Sequence, residues 1–309
     1  MPRDGRPLTP SGYKNSIKTR AKNAAATTPG VNAGELTDLY YHRRLLARVF
    51  HADPGRWVLK GGQALLVRWP AARYSTDIDL LGDQDSTDEA VAALIEAAGV
   101  ELDDHILFRH QKTTDQPHPD RPTRTVYFRA MFGNVELRRD VKVDVVVSGH
   151  LPRGAVVVEP LDAPFNVECD VWPEVRMFPL EDHVAEKICA MYEKHRIAGN
   201  DSTRYKDLAD LAIIALNSPF DGAMLHATLL EEVHRRRDRG MVLELPATFT
   251  VPNSAWRAGY SEIAKKVREL PSELNTFAGV QPLMDAFLTP LLKPTPPSGS
   301  WTPQTRRWG

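Results

Sequence analysis

The sequence predicts an α+β protein, with a mixed sheet and flanking helices in its N-terminal half and a helical C-terminal half. Two observations predict this. Between residues 57 and 178, short β-branched runs and a capped amphipathic helix alternate with Gly, Pro and Asn breaks. From about residue 179 the apolar residues recur at helical spacing instead, in five successive segments. With 309 residues, 42% apolar and 26% charged, the chain can bury a sizeable core, as one large domain or two of ordinary size.

Residues 1–30 are polar and basic and read as a flexible arm, with at most a short helix near residues 16–24. Residues 35–50 (ELTDLYYHRRLLARVF) carry Leu36, Leu39, Tyr40, Leu46, Val49 and Phe50 at helical spacing, with Arg43, Arg44 and Arg48 as a basic face. A short strand over 57–59 ends at Gly61-Gly62, a helix restarts over 63–69, and a second strand follows over 76–81. Residues 87–98 (TDEAVAALIEAA) form a helix capped by Ser86 or Thr87 and ended by Gly99. Strands over 125–132 and 135–147 flank Gly133-Asn134, a two-residue hairpin signal. Two further strands fall within 155–178, broken by prolines. Helices are expected over 180–194, 203–216, 221–237, 254–270 and 282–292. The expected division is a flexible arm over 1–30, a sheet domain over 31–178, a helical domain over 179–292 and a flexible Pro-rich tail over 293–309. A cleft between the two halves is the natural place for a ligand.

The net charge of −1 excludes a global basic field, so any nucleic-acid surface must be a local patch. The two cysteines, Cys169 and Cys189, have no zinc spacing and suit plain packing in a reducing compartment. No secretory leader and no apolar run of membrane-spanning length is visible, so a cytoplasmic protein is expected.

The chemistry concentrates in KGGQALLVRWPAARYSTDIDLLG, residues 60–82. On a strand, Asp77 and Asp79 project to one face while Ile78 and Leu80 face the core. Two carboxylates side by side disfavour each other's ionisation. With no cation within Asp77-Ile78-Asp79 itself, a hard divalent cation is the natural partner, Mg²⁺ or else Mn²⁺, held by carboxylates and substrate phosphates. Asp144 interrupts the β-branched run VKVDVVV, where a bare charge is costly unless paired or metal-bound. Beside the Asp77/Asp79 strand it would complete a three-carboxylate metal site; the bland alternative is an ion pair with Lys142. Gly61-Gly62 opening a helix places backbone N–H groups where phosphates could approach closely.

This order of parts resembles the nucleotidyltransferase superfamily, whose signature is Gly-Gly/Ser followed by D-h-D-h. Here Gly61-Gly62, fourteen residues, and Asp77-Ile78-Asp79-Leu80 fill it. More narrowly, VLKGGQALLVRW and ARYSTDIDLL are similar to the AbiEii/MenT-type toxins of toxin–antitoxin systems, with Arg73, Ser75 and Thr76 filling the pattern before the carboxylates. The likeness continues at Lys187 in LEDHVAEKICAMYEK and at Arg204-Tyr205-Lys206-Asp207, and spans about residues 36–216. It implies a nucleotidyltransferase-type sheet domain and a pyrophosphate-releasing transfer from an NTP. It implies Lys187 on the triphosphate, with Gly61, Gly62, Gln63 and Arg204 as further nucleotide contacts. Asp207 would be a positioning or proton-handling residue, a role also open to Asp210. The implied acceptor is RNA, at the 3′ end of tRNA, and the implied partner an antitoxin. For RNA, the basic candidates are Lys14, Lys18, Arg20 and Lys22, then Arg43, Arg44 and Arg48, then His234 with Arg235, Arg236 and Arg237. Two readings stand beside it: transfer to a small molecule or a protein hydroxyl, and a non-catalytic nucleotide- or RNA-binding module.

Overall fold

The computed structural model describes residues 9–28, 30–116, 123–147, 152–167, 171–194, 201–268 and 270–309. It divides into two compact units, one of Met1–Pro70, Tyr74–His150 and Val156–Met177, the other of Ala71–Arg73, Leu151–Ala155 and Phe178–Gly309.

In the first unit, helices α1 (Pro10–Thr27), α2 (Ala33–Ala52), α3 (Gly61–Arg68) and α4 (Thr87–Ala98) accompany strands β1 (Trp57–Lys60), β2 (Asp77–Gly82), β3 (Ile106–Gln116), β4 (Thr123–Phe132), β5 (Val135–Val147), β6 (Val157–Pro160) and β7 (Glu174–Met177). The seven strands form one mixed sheet in the order β3-β4-β5-β2-β1-β7-β6. β2 runs parallel to β5 and antiparallel to β1, so it is central. Ile78, Leu80, Val143 and Val145 point into the core that α1, α2 and α4 cover. β4 and β5 meet at Gly133, whose φ of +57° suits the tight Gly-Asn turn. Ser86 caps α4 by accepting from the Glu89 N–H.

Three expectations for this unit change. The expected flexible arm contains α1, an 18-residue helix. Thr9 caps it, Pro10 opens it, and Tyr13, Ile17 and Ala21 recur at i, i+4 and i+8 and are buried. The Tyr13 and Tyr40 hydroxyls lie 2.9 Å apart, tying α1 to α2. Secondly, the arginines of α2 form no basic face. Arg44 and Arg48 are fully buried on Asp104, with Arg44 Nε at 2.7 Å and Arg48 Nη2 at 2.6 Å. Arg43 donates to the Asp162 and Leu66 carbonyls. Burial alone would raise the Asp104 carboxyl, but hydrogen bonding and charge from Arg48, with Arg44, hold it below the usual carboxylate range. Thirdly, β3 lies where no strand was expected. It is an edge strand, exposed over most of its length, so its sequence carries no buried alternation.

His42 is buried beneath α3, and its Nδ1 accepts a 3.0 Å hydrogen bond from the Gln63 amide. Burial pushes its imidazole from 6.5 down to about 4. Between those values the unfolded chain takes up a proton that the folded chain refuses. The folded state is therefore favoured fully above pH 6.5 and loses up to about 3 kcal/mol as pH falls toward 4. Urea midpoints should drop across this window in the wild type and drop less in His42→Gln. Parallel curves would refute the assignment.

The second unit is helical: α5 (Leu180–Tyr192), α6 (Tyr205–Asn217), α7 (Gly222–Asp238), α8 (Ala255–Ala264) and α9 (Phe277–Leu291), with a 3₁₀ turn over Ser272–Asn275. Short strands β8 (Glu193–Lys194), β9 (Phe220–Asp221), β10 (Val242–Leu243), β11 (Ser300–Thr302) and β12 (Arg307–Trp308) join them. α9 begins five residues earlier than expected, because Thr276 caps it and Pro282 sits inside the helix rather than at its start. The tail expected to be flexible is pinned. β11 pairs with β9 and β12, Trp301 is fully buried and donates to the Ala215 carbonyl, and Trp308 stacks on Phe287. Two indoles offset the Pro/Ser composition that suggested disorder. Cys189 is a buried core thiol whose ionisation burial suppresses; Cys169 lies outside the described residues.

Candidate active site

Two clusters of charge carry the predicted site residues, one in each unit.

The first is built on the face of the sheet opposite α2. The parallel register sets Asp79 beside Asp144 and Asp77 beside Lys142. Strand alternation buries Ile78 and Val143 and leaves Asp77, Asp79 and Asp144 partly exposed on one face. Neighbours on the same sheet hold Asp144: the Thr125 hydroxyl donates to Oδ1 at 2.6 Å, and Gln116 donates to Thr125 at 2.7 Å. Lys142 Nζ lies 3.0 Å from Asp144 Oδ2 and 3.6 Å from Asp77 Oδ2. Partial burial would lower the Lys142 ammonium, but its bond to Asp144 and the two carboxylate charges raise it above the ordinary range.

Both sequence-based readings of Asp144 thus meet in one arrangement. It shares a face with the Asp77/Asp79 pair, and it is paired with Lys142. Among the described residues no three His, Cys, Asp or Glu side chains converge closely enough to hold a metal unaided. The donor chemistry nevertheless fits a hard cation: carboxylate oxygens on adjacent strands, bridged here by a lysine ammonium whose place a metal would take.

The glycines lie against this face. Gly61 opens α3 with φ +65°, a conformation side chains rarely adopt, and a Cβ there would sit 1.8 Å from Asp79 Oδ2. The backbone at the start of α3 therefore approaches the Asp79 carboxylate as closely as only glycine allows, and a helix N-terminus favours negative charge. Gln63 does not join it. Its side chain is fully buried, its amide donating to His42 and to the Ser75 carbonyl at 2.8 Å.

The second cluster is in the helical unit. Lys187 on α5 is buried, with Nζ 3.0 Å from Asp207 Oδ1 and 2.5 Å from Asp210 Oδ2. Asp207 and Asp210 are one turn apart on α6 and share its face. Arg204 Nε donates to Asp207 at 2.6 Å, and Arg73 grips Asp210 through two bonds of 2.8 and 2.7 Å. Burial alone would raise both carboxyls, but the Lys187 charge, with Arg204 on Asp207 and Arg73 on Asp210, drives them below the usual range. Burial would likewise lower the Lys187 ammonium; Asp207 and Asp210 reverse that and raise it. Lys206 is lowered, first by burial and then by the Arg204 and Arg73 charges. Three cations facing two carboxylates, with Lys206 beside them, leave this cluster electropositive.

In the sequence Arg73 stands only within the pattern preceding the carboxylates; its bidentate partner lies 137 residues away, a pairing no local pattern announces. Lys206 was visible only as the third residue of the Arg204–Asp207 run.

The basic candidates for nucleic acid are mostly committed elsewhere. Besides the α2 arginines, Arg235 and Arg236 pair with Glu232, Arg236 also with Glu193, and Arg237 bonds the Leu243 carbonyl. Arg20 donates to the Asn166 carbonyl. Lys14, Lys18 and Lys22 form a stripe along α1.

A mixed sheet with a carboxylate pair opposite a glycine turn, and a helical unit with a buried lysine, define a nucleotidyltransferase fold. Among solved structures, the nucleotidyltransferase toxin MenT4 from Mycobacterium tuberculosis is similar to this chain (TM-score 0.52, 18% identity, covering 84% of this chain and 91% of that one). JHP933 from Helicobacter pylori also matches (TM-score 0.38, 18% identity, 63% of this chain and 69% of that one). Among curated proteins, no sequence match was found. The profile of the family described as nucleotidyl transferase AbiEii toxin, type IV toxin–antitoxin system, matches residues 44–289. The chain belongs to the AbiEii nucleotidyltransferase toxin family and is a nucleotidyltransferase enzyme. Membership implies an NTP as substrate and an antitoxin as partner. Among the described residues no helix is long and apolar enough to cross a membrane.

Proposed function

We propose that this toxin transfers a nucleoside monophosphate from an NTP to an RNA hydroxyl, at the 3′ end of tRNA, and so blocks translation in the cytoplasm. The register that sets Asp79 beside Asp144, with Gly61 packed on the Asp79 carboxylate, supports this reading most directly. The acceptor oxygen attacks the α-phosphorus, the bond to the β-phosphate oxygen breaks, and pyrophosphate leaves. Asp77, Asp79 and Asp144 would hold Mg²⁺ or Mn²⁺, which neutralises phosphate charge. Asp144 is also the candidate base for the attacking hydroxyl. Lys142 bridges Asp77 and Asp144, the place such a cation would take. The N–H groups of Gly61 and Gly62 cradle phosphate oxygens, and Lys187, with Arg204, answers the triphosphate charge. Asp207 positions Lys187.

Each α-labelled NTP, incubated with Mg²⁺ and total tRNA, should in one case label a tRNA band on a gel, and EDTA should abolish it. Lys187→Ala should lose the label and relieve growth arrest. Undiminished transfer by this variant would sink the assignment of Lys187. One observation favours a second acceptor class: among the described residues, the predicted arginine candidates for RNA on α2 and α7 are buried or paired. Label appearing on protein or on a small molecule, with tRNA unlabelled, would decide for that reading.

A further inference from the structure

A cavity of about 550 Å³ opens in the first unit beneath α1 and α2, within the range of small-ligand sites. Neither Gly61 nor any of Asp77, Asp79 and Asp144 lines it; α2 packs on the Ile78 and Leu80 face, so the cavity is separate from the carboxylates. Lys14 and Lys18, one turn apart on α1, form one wall, and neither has an ion-pair partner among the described residues. Tyr41 and Tyr74 contribute aromatic walls; Asp38 and Thr76 add a carboxylate and a hydroxyl. Two other acids lining it, Glu136 and Asp140, are bonded by Arg129, and Glu136 also by Arg109, so two guanidinium groups balance these two carboxylates.

We infer that this cavity is a second ligand site, for a nucleoside monophosphate. Two lysines on one wall demand an anionic group and suit phosphate. The Thr76 hydroxyl and the Tyr41 hydroxyl, the latter buried without a hydrogen-bond partner among the described residues, call for hydrogen-bonding groups, which ribose hydroxyls supply. Tyrosine faces accept a planar ring by stacking. A ligand combining phosphate, polyol and aromatic ring is a mononucleotide; inorganic phosphate alone would leave the Tyr41 hydroxyl and the tyrosine rings unused. The site does not depend on the transfer reaction. It abuts Thr76, the residue before Asp77, so its occupant touches the segment that leads into the carboxylate strand.

The test is equilibrium binding of AMP, CMP, GMP, UMP and inorganic phosphate to the full chain carrying Asp79→Asn, in EDTA, so that metal-dependent binding at the carboxylate face is absent. At least one nucleotide should bind saturably, with Kd below about 1 mM. Lys14→Gln with Lys18→Gln should weaken it at least tenfold, and Lys14→Arg with Lys18→Arg should keep it. Lys18→Glu alone, at an exposed position, should also weaken it if the double variant fails to fold. Absence of saturable binding, equal binding after loss of the lysines, or phosphate binding as tightly as every nucleotide would each overturn the proposal. None of these outcomes bears on transfer from an NTP, which the labelling experiment judges separately.

Discussion

Asp79→Asn should lower nucleotide transfer by about 10²–10³-fold or more while leaving the protein folded. The substitution keeps the shape and removes the charge at the one carboxylate that touches both sides of the site. Asp79 is the register partner of Asp144 and lies against the Gly61 backbone. It is only partly buried and shares its face with two like charges, so the change in stability should stay within about 1 kcal/mol. Label transfer from the α-labelled NTP and a urea titration, run on the same preparation, separate the two effects. Wild-type transfer by this variant would remove the sheet face from the chemistry. A large loss of stability would make Asp79 a folding residue instead.

Asp104→Ala should have the opposite profile, with about 3–5 kcal/mol lost from stability through a site remote from the reaction chemistry. Asp104 accepts from Arg44 Nε, Arg48 Nη1, Arg48 Nη2 and the Ile106 N–H. All three side chains of this network are essentially inaccessible. Removing the carboxylate strands two guanidinium groups in a core where Arg44 also stacks over Trp172 and Arg48 over Phe108. Replacing the three charged residues together with apolar ones of similar volume should recover much of the loss, because the cost lies in the uncompensated charges. Urea unfolding of the single and triple variants measures this; an Asp104→Ala protein of wild-type stability would refute it.

These arginines also show where sequence reading stopped. The strand alternation around Asp77 and Asp79 and the Gly-Asn hairpin are local patterns, and both appear in the fold where residue spacing placed them. Arg43, Arg44 and Arg48 looked like a solvated face because charge usually means solvent. Their partners outside α2 lie 23 to 127 residues away, and those at Asp104, Asp162 and Val171 fall in loops that no local pattern marks. The same holds for Arg73 and Asp210, and for the two tail tryptophans, whose neighbours come from α6 and α9. Within the candidate site, the carboxylates and glycines were legible because their spacing is short. The grip of Arg73 and the bridge of Lys142 between Asp77 and Asp144 exist only once strands and helices are assembled.

The parallel pairing of β2 with β5 has a consequence for how the chain finds its fold. Sliding one strand by a single residue would turn Asp77 and Asp79 inward and bring Ile78 and Leu80 out, exchanging apolar for ionised groups in the core. The strands are separated by residues 83–134, so nothing local dictates their alignment. The carboxylates therefore proofread the sheet. Misaligned pairings are rejected because they would bury charge, and the residues proposed for chemistry are the ones that make the correct alignment the cheapest.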